Sequence, residues 1–206
     1  MKPDHGTLIA FEGIDGSGKS THIRYLFEHL NKKKVRTATV SYSDQDWFRE
    51  AYNNQPSYSD TQREMEFFAW AFNTLVDRCI NPLLREGRVV IVDRYLLSYF
   101  AYQSFHRIDP EVLASKLTCN APTPNLIIIL DVPLGIALNR CRERELSEED
   151  SYRIPFELAA IARLEHVAAY YKRHACFGAL MIDGQHSIEE VSEKIWSAVI
   201  RLLDLS

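Results

Sequence analysis

Apolar positions along the chain follow two periods. Short runs with β-branched residues stand at Thr7–Phe11, Val35–Tyr42, Arg88–Val92, Leu126–Val132 and Leu180–Asp183. Each is four to eight residues long and reads as a strand. Between them apolar residues recur at three- and four-residue spacing. Ile23, Leu26, Phe27 and Leu30 predict a helix over about 19–32, and Ile188, Val191, Ile195, Val199 and Leu202 predict one over 188–204. Met65, Phe68, Ala69, Phe72, Leu75, Val76, Cys79 and Leu83 predict a long helix over about 62–85, capped by Asp60 or Thr61 and bent near Pro82. Phe67, Trp70 and Ala71 make it apolar on more than one face, which suits an interior or interface position. Further helices are expected at about 97–105, 110–120, 134–145 and 155–174. The polar tract from Ser43 to Asp60 reads as a loop or irregular connection. Strands alternating with helices predict an α/β fold, a five-stranded parallel sheet with helices on both faces. With no repeat or linker, residues 1–206 read as a single domain.

Such sheets bind ligands at the carboxyl ends of their strands. Immediately after the first strand comes Phe-Glu-Gly-Ile-Asp-Gly-Ser-Gly-Lys-Ser-Thr at 11–21. Gly13 to Ser20 is G-x-x-x-x-G-K-[ST], the phosphate-binding P-loop pattern, set between a strand and a helix as that motif requires. Gly13, Gly16 and Gly18 let the backbone turn several N–H groups toward one anion. Lys19 can reach the β- and γ-phosphates of a nucleoside triphosphate, and the Ser20 hydroxyl can ligate Mg²⁺. These residues predict the P-loop NTPase fold with a nucleoside triphosphate and Mg²⁺ bound.

Asp93 ends the most apolar strand and fits the acidic residue that helps hold the metal. The alternative is a helix-capping aspartate. Arg94 beside it offers a planar fork for a phosphate. Arg140, Arg142 and Arg144 follow the fourth strand, and Arg153 lies beyond an acidic stretch. The cluster reads either as a solvated helix face or as a lid at about 141–155 whose arginines stabilise a moving phosphoryl group.

Composition narrows the class. The chain is 46% hydrophobic and 25% charged with net charge −4, which disfavours both disorder and a general nucleic-acid-binding surface. Cys79, Cys119, Cys141 and Cys176 show no C-x-x-C spacing and read as reduced thiols. The start of the chain lacks an apolar signal region and the run at 126–130 is too short to span a bilayer, so a cytoplasmic protein without a membrane partner is expected.

The ensemble resembles the thymidylate kinase family. The resemblance rests on residues 11–21, on Asp93-Arg94-Tyr95 with Ser98 and Ala101-Tyr102-Gln103, on Leu130-Asp131-Val132 followed by Arg140, and on Ile182-Asp183-Gly184. It implies a nucleoside monophosphate kinase that passes the ATP γ-phosphoryl to dTMP. Lys19, Arg94 and Arg153 would be catalytic. Gly13, Asp15, Gly16, Ser17, Gly18, Lys19, Ser20, Thr21, Arg140 and Arg144 would bind the donor, and Ser20 and Asp93 the metal. Asp15, Phe68, Phe72, Arg94, Ser98, Tyr99 and Tyr102 would form the acceptor site. Phe68 would stack on the base, and Tyr102 would crowd the sugar 2′ position. Arg140 would lie against adenine. Ser17 stands where some members carry an arginine, and members lacking it use lid arginines, as Arg144 and Arg153 allow. A homodimer through the long helix is implied.

Two departures bear on the acceptor. The family's thymine-reading arginine is Phe72 here, and its Arg-Glu-Pro-type loop is replaced by Ser41–Trp47. A different nucleotide, nucleoside or small-metabolite acceptor is therefore the alternative, with a non-catalytic nucleotide-binding regulator as a third reading.

Overall fold

The computed structural model describes residues 6–54, 60–147, 158–175 and 178–205. Five strands, β1 (Thr7–Glu12), β2 (Thr37–Ser41), β3 (Val89–Asp93), β4 (Leu126–Asp131) and β5 (Leu180–Asp183), form one sheet in the order β2-β3-β1-β4-β5. Every pairing is parallel. β1 is central, with Phe11 opposite Asp93 on one side and Ile128 on the other. Connections leave β1 and β3 toward opposite edges, so the end of β1 is the natural ligand crevice.

Side-chain alternation along the strands divides the core. Ile9 and Phe11 of β1, with Ile91, Ile128 and Leu130, pack under α1 (Lys19–Lys32) and α9 (Ile188–Leu202). Leu8 and Ala10, with Val40, Val90 and Val92, pack on the other face against Phe72, Leu75, Val76, Ile80 and Leu84. Both faces are covered, which is why β3 is a continuous apolar run.

The long helix expected over 62–85 is three consecutive pieces. α3 (Thr61–Leu75) runs into a π-helical turn at Val76–Ile80 and then α4 (Asn81–Arg85). Pro82 lies in the first turn of α4, where its missing N–H costs least, and the extra residue of the π turn precedes it. Asp60 caps α3 by accepting from the N–H groups of Gln62 and Arg63, at 3.0 and 3.2 Å.

The tract read as irregular contains a helix, α2 (Asp46–Asn53). Its residues Trp47, Phe48 and Tyr52 place rings against α3. Phe48 lies 5.6 Å from Phe67, and Trp47 meets Trp70 edge-on at 5.3 Å. These few aromatics fold a segment that its polar neighbours disguise.

α5 (Leu96–Gln103) continues into a 3₁₀ turn at Ser104–His106, and α6 is only Pro110–Ser115. α7 spans Leu134–Ser147 and α8 Leu158–His174. The segment read as a lid begins inside α7. Its remainder, with Arg153, lies outside the described residues. No helix among the described residues is long and apolar enough to cross a membrane.

Candidate active site

The loop between β1 and α1 curls as its glycines require. Gly13, Gly16 and Gly18 have φ of 140°, 77° and 96°. A Cβ on Gly16 would sit 2.1 Å from the Ala137 carbonyl oxygen, so the tip of the loop rests directly on the first turn of α7. Lys19 is buried, and its Nζ donates to the carbonyls of Gly13 and Ile14, each at 3.1 Å. Burial lowers its pKa, aided by Arg94, while Asp93, Asp15 and Glu12 pull the other way. Ser20 is exposed at the start of α1, and Ser17 is buried with its hydroxyl lacking a hydrogen-bond partner among the described residues.

Arg94 closes the other side. It has φ of 67°, an uncommon backbone conformation for a side-chain-bearing residue, and its N–H donates to Phe11 O at 2.9 Å. The guanidinium donates through Nη1 to Gly13 O at 3.1 Å and through Nη2 to Asp15 Oδ1 at 2.7 Å. Burial alone would depress its pKa. Asp15, Tyr102, Tyr171 and Asp93 together outweigh that and hold the guanidinium charged. Tyr102 completes this corner, with its hydroxyl 3.5 Å from Asp15 Oδ2 and its ring 5.0 Å from the Arg94 Cζ. Burial raises the Tyr102 phenol, so it stays protonated and can donate.

Asp93 brings a buried carboxylate oxygen, Oδ1, that has no hydrogen-bond partner among the described residues. An orphaned carboxylate oxygen at the end of β3 fits a hydrated divalent cation, a group that Mg²⁺ sites typically engage through one or two carboxylates and several waters. Arg140, on α7, donates to the carbonyls of Gly16 and Gly184, at 3.5 and 3.0 Å, and ties the P-loop to the segment after β5.

Sequence reasoning passed over Glu12. It is 1% exposed, and its Oε1 accepts from the N–H groups of Tyr95 and Ser98, both at 3.2 Å. A carboxylate at the end of β1 thus caps α5, whose own N-cap residue provides no side-chain bond. Oε2 accepts from the hydroxyls of Ser98 and Tyr171, the latter at 3.4 Å. Burial pushes the Glu12 pKa up, against the pull of Ser98 and Arg94. The only local sign is a charged residue closing an apolar strand.

The expected acceptor residues separate into two groups. Asp15, Arg94 and Tyr102 converge at the P-loop, and Phe68 on α3 is half-buried. Ser98 and Tyr99 turn their polar atoms inward, Ser98 to Glu12 and Tyr171, Tyr99 to Leu113 O at 3.4 Å. Phe72 departs from the expectation of a residue facing the acceptor. It has no exposed surface and packs 5.1 Å from Tyr95 and 6.1 Å from Tyr99. Truncating it should act on folding: Phe72→Ala is expected to lower stability by about 3–5 kcal/mol in urea unfolding.

The model of the thymidylate kinase family matches residues 11–195. A thymidylate kinase of Akkermansia muciniphila is 33% identical over 94% of this chain and 91% of its own length. A probable thymidylate kinase of Archaeoglobus fulgidus is 32% identical over 96% and 97%, and a thymidylate kinase of Desulfotalea psychrophila is 28% identical over 100% of both chains.

Proposed function

The chain belongs to the thymidylate kinase family and is an ATP-dependent phosphotransferase, and from that premise we propose that it phosphorylates dTMP to dTDP with MgATP. The observation that carries this reading is the contact of Arg94 with the P-loop through Gly13 O and Asp15. A side chain suited to an acceptor phosphate thereby adjoins the loop that cradles donor phosphates. In-line transfer needs just that adjacency, since positioning and charge stabilisation supply most of the catalysis.

The P-loop N–H groups and Lys19 hold the triphosphate, and Arg94 orients the acceptor's 5′-phosphate oxygen toward the γ-phosphorus. That P–O bond forms as the bond to ADP breaks. Ser20 and Asp93 would hold Mg²⁺, which neutralises charge on the β- and γ-phosphates. Arg140 lies along the donor base, and Arg144 and Arg153 complete the donor side. Phe68 supports the base of the acceptor, and Asp15 with Tyr102 faces its sugar. The half-exposed Trp70 on α3 suits a homodimer through that helix. The protein works in the cytoplasm on small nucleotides, without nucleic acid.

A coupled assay of ADP release against dTMP, dUMP, dCMP, AMP and thymidine tests the acceptor. The expected result is the highest kcat/KM with dTMP. No turnover of dTMP alongside turnover of another acceptor would overturn it.

A further inference from the structure

A second guanidinium approaches the acceptor corner. Arg163, on α8, has its Cζ 5.3 Å from the Tyr102 ring centroid, against 5.0 Å for Arg94. One phenol ring is therefore flanked by two arginines, and each arginine has its own carboxylate. Arg94 pairs with Asp15, and Arg163 donates through Nη2 to Glu64 Oε1. Glu64 is 3% exposed in the first turn of α3, four residues before Phe68. His106 Nε2 stands 3.2 Å from its other oxygen, without the alignment of a hydrogen bond. Ser104 Oγ and His166 Nε2, 2.8 Å apart, add a second tie between the end of α5 and α8.

Burying a carboxylate is costly unless a partner fixes it, and an arginine so fixed loses its freedom to move. The Arg163 fork is thus held at one end by Glu64 while its face lies against Tyr102. Tyr102 can shift neither toward α8 nor away from Asp15 without disturbing a charged group. The position of its ring is set by Arg163 on α8, held by Glu64 on α3, and by Asp15 and Arg94 in the loops after β1 and β3.

We propose that Arg163, anchored by Glu64, is a positioning residue that holds Tyr102 against the sugar end of the acceptor site and so sets discrimination between deoxyribose and ribose acceptors. The inference rests on the preceding reading of the acceptor site. It places part of the sugar selectivity on side chains that need not touch the nucleotide.

The test measures kcat/KM for dTMP and for ribothymidine 5′-monophosphate, together with KM for ATP and the melting temperature. Wild type, Arg163→Met, Arg163→Lys and Glu64→Gln are compared. The wild type is expected to prefer dTMP. Arg163→Met should reduce that preference about tenfold, chiefly through the acceptor KM, with KM for ATP unchanged. Arg163→Lys, which keeps the charge without the planar fork, should fall between. If Arg163→Met does not fold, Arg163→Lys and Glu64→Gln carry the test, and both should lower the preference. Variants that melt earlier yet keep the wild-type ratio would overturn the inference alone, because the pair would then only weld α3 to α8. A wild type that phosphorylates no thymidylate would overturn the acceptor reading, and this inference with it.

Discussion

Replacing Lys19 with alanine is expected to lower kcat for phosphoryl transfer by about three orders of magnitude. The Lys19 ammonium donates to the carbonyls of Gly13 and Ile14. It is therefore poised inside the loop, and a triphosphate replaces neutral acceptors with anionic ones. Charge-assisted hydrogen bonds are roughly twice as strong as neutral ones, so the exchange favours the bound state. Its effect grows in the transition state, where charge accumulates on the transferring oxygens and water has been excluded. Alanine removes the charge but leaves Gly13, Gly16 and Gly18 to form the loop. Single-turnover kinetics should show a slow chemical step with donor binding weakened less. Undiminished turnover would mean that the measured activity comes from a contaminant.

Arg94→Lys should lower kcat/KM for the acceptor by about a hundredfold or more, with KM for ATP changed by less than about threefold. Lysine conserves the charge and is not a conservative change at this position. The guanidinium uses Nη1 on Gly13 O and Nη2 on Asp15, and a compact ammonium cannot span both with the same geometry. The backbone adds a second reason. Arg94 holds φ of 67° because its N–H is fixed to Phe11 O and the following helix is capped by Glu12. Any side chain placed there leaves from that same direction. A shorter reach or a weaker fork therefore cannot be corrected by backbone adjustment. Steady-state kinetics with each substrate varied in turn checks the split, and an equal rise in both KM values would contradict it.

The parts of the fold that announce themselves in the sequence are those with local causes. The apolar run of β1, the glycines after it and the 3.6-residue period of α1 lie within 26 residues, from Thr7 to Lys32, and each follows from its own neighbourhood. α2 does not. Its buried face is a few aromatics inside a polar tract, and the surface that orders it belongs to Phe67 and Trp70 on another helix. Glu12 is similar. Its partners are Tyr95, Ser98 and, 159 positions away, Tyr171, so no window around residue 12 reveals why a carboxylate can be buried there. Phe72 satisfied two descriptions at once, a core position by helical period and an acceptor position by resemblance. Its complete burial between the sheet and the tyrosines of α5 favours the first. Arg163 and Glu64, 99 residues apart, meet only because α3 and α8 flank α5.

The edge-on pair of Trp47 and Trp70 gives the molecule a built-in optical reporter. Two indoles with centroids 5.3 Å apart are close enough to exchange excitation energy. Phe67 links them to Phe68, with rings at 5.7 Å from Trp70 and 5.2 Å from Phe68, so if Phe68 stacks on the acceptor base as proposed, binding would perturb a chromophore two rings away. The third tryptophan, Trp196, sits on α9 beside His29, on the opposite face of the sheet. Trp196 lies away from the pair, so a change in tryptophan signal on acceptor binding would report chiefly on Trp47 and Trp70 in unlabelled protein.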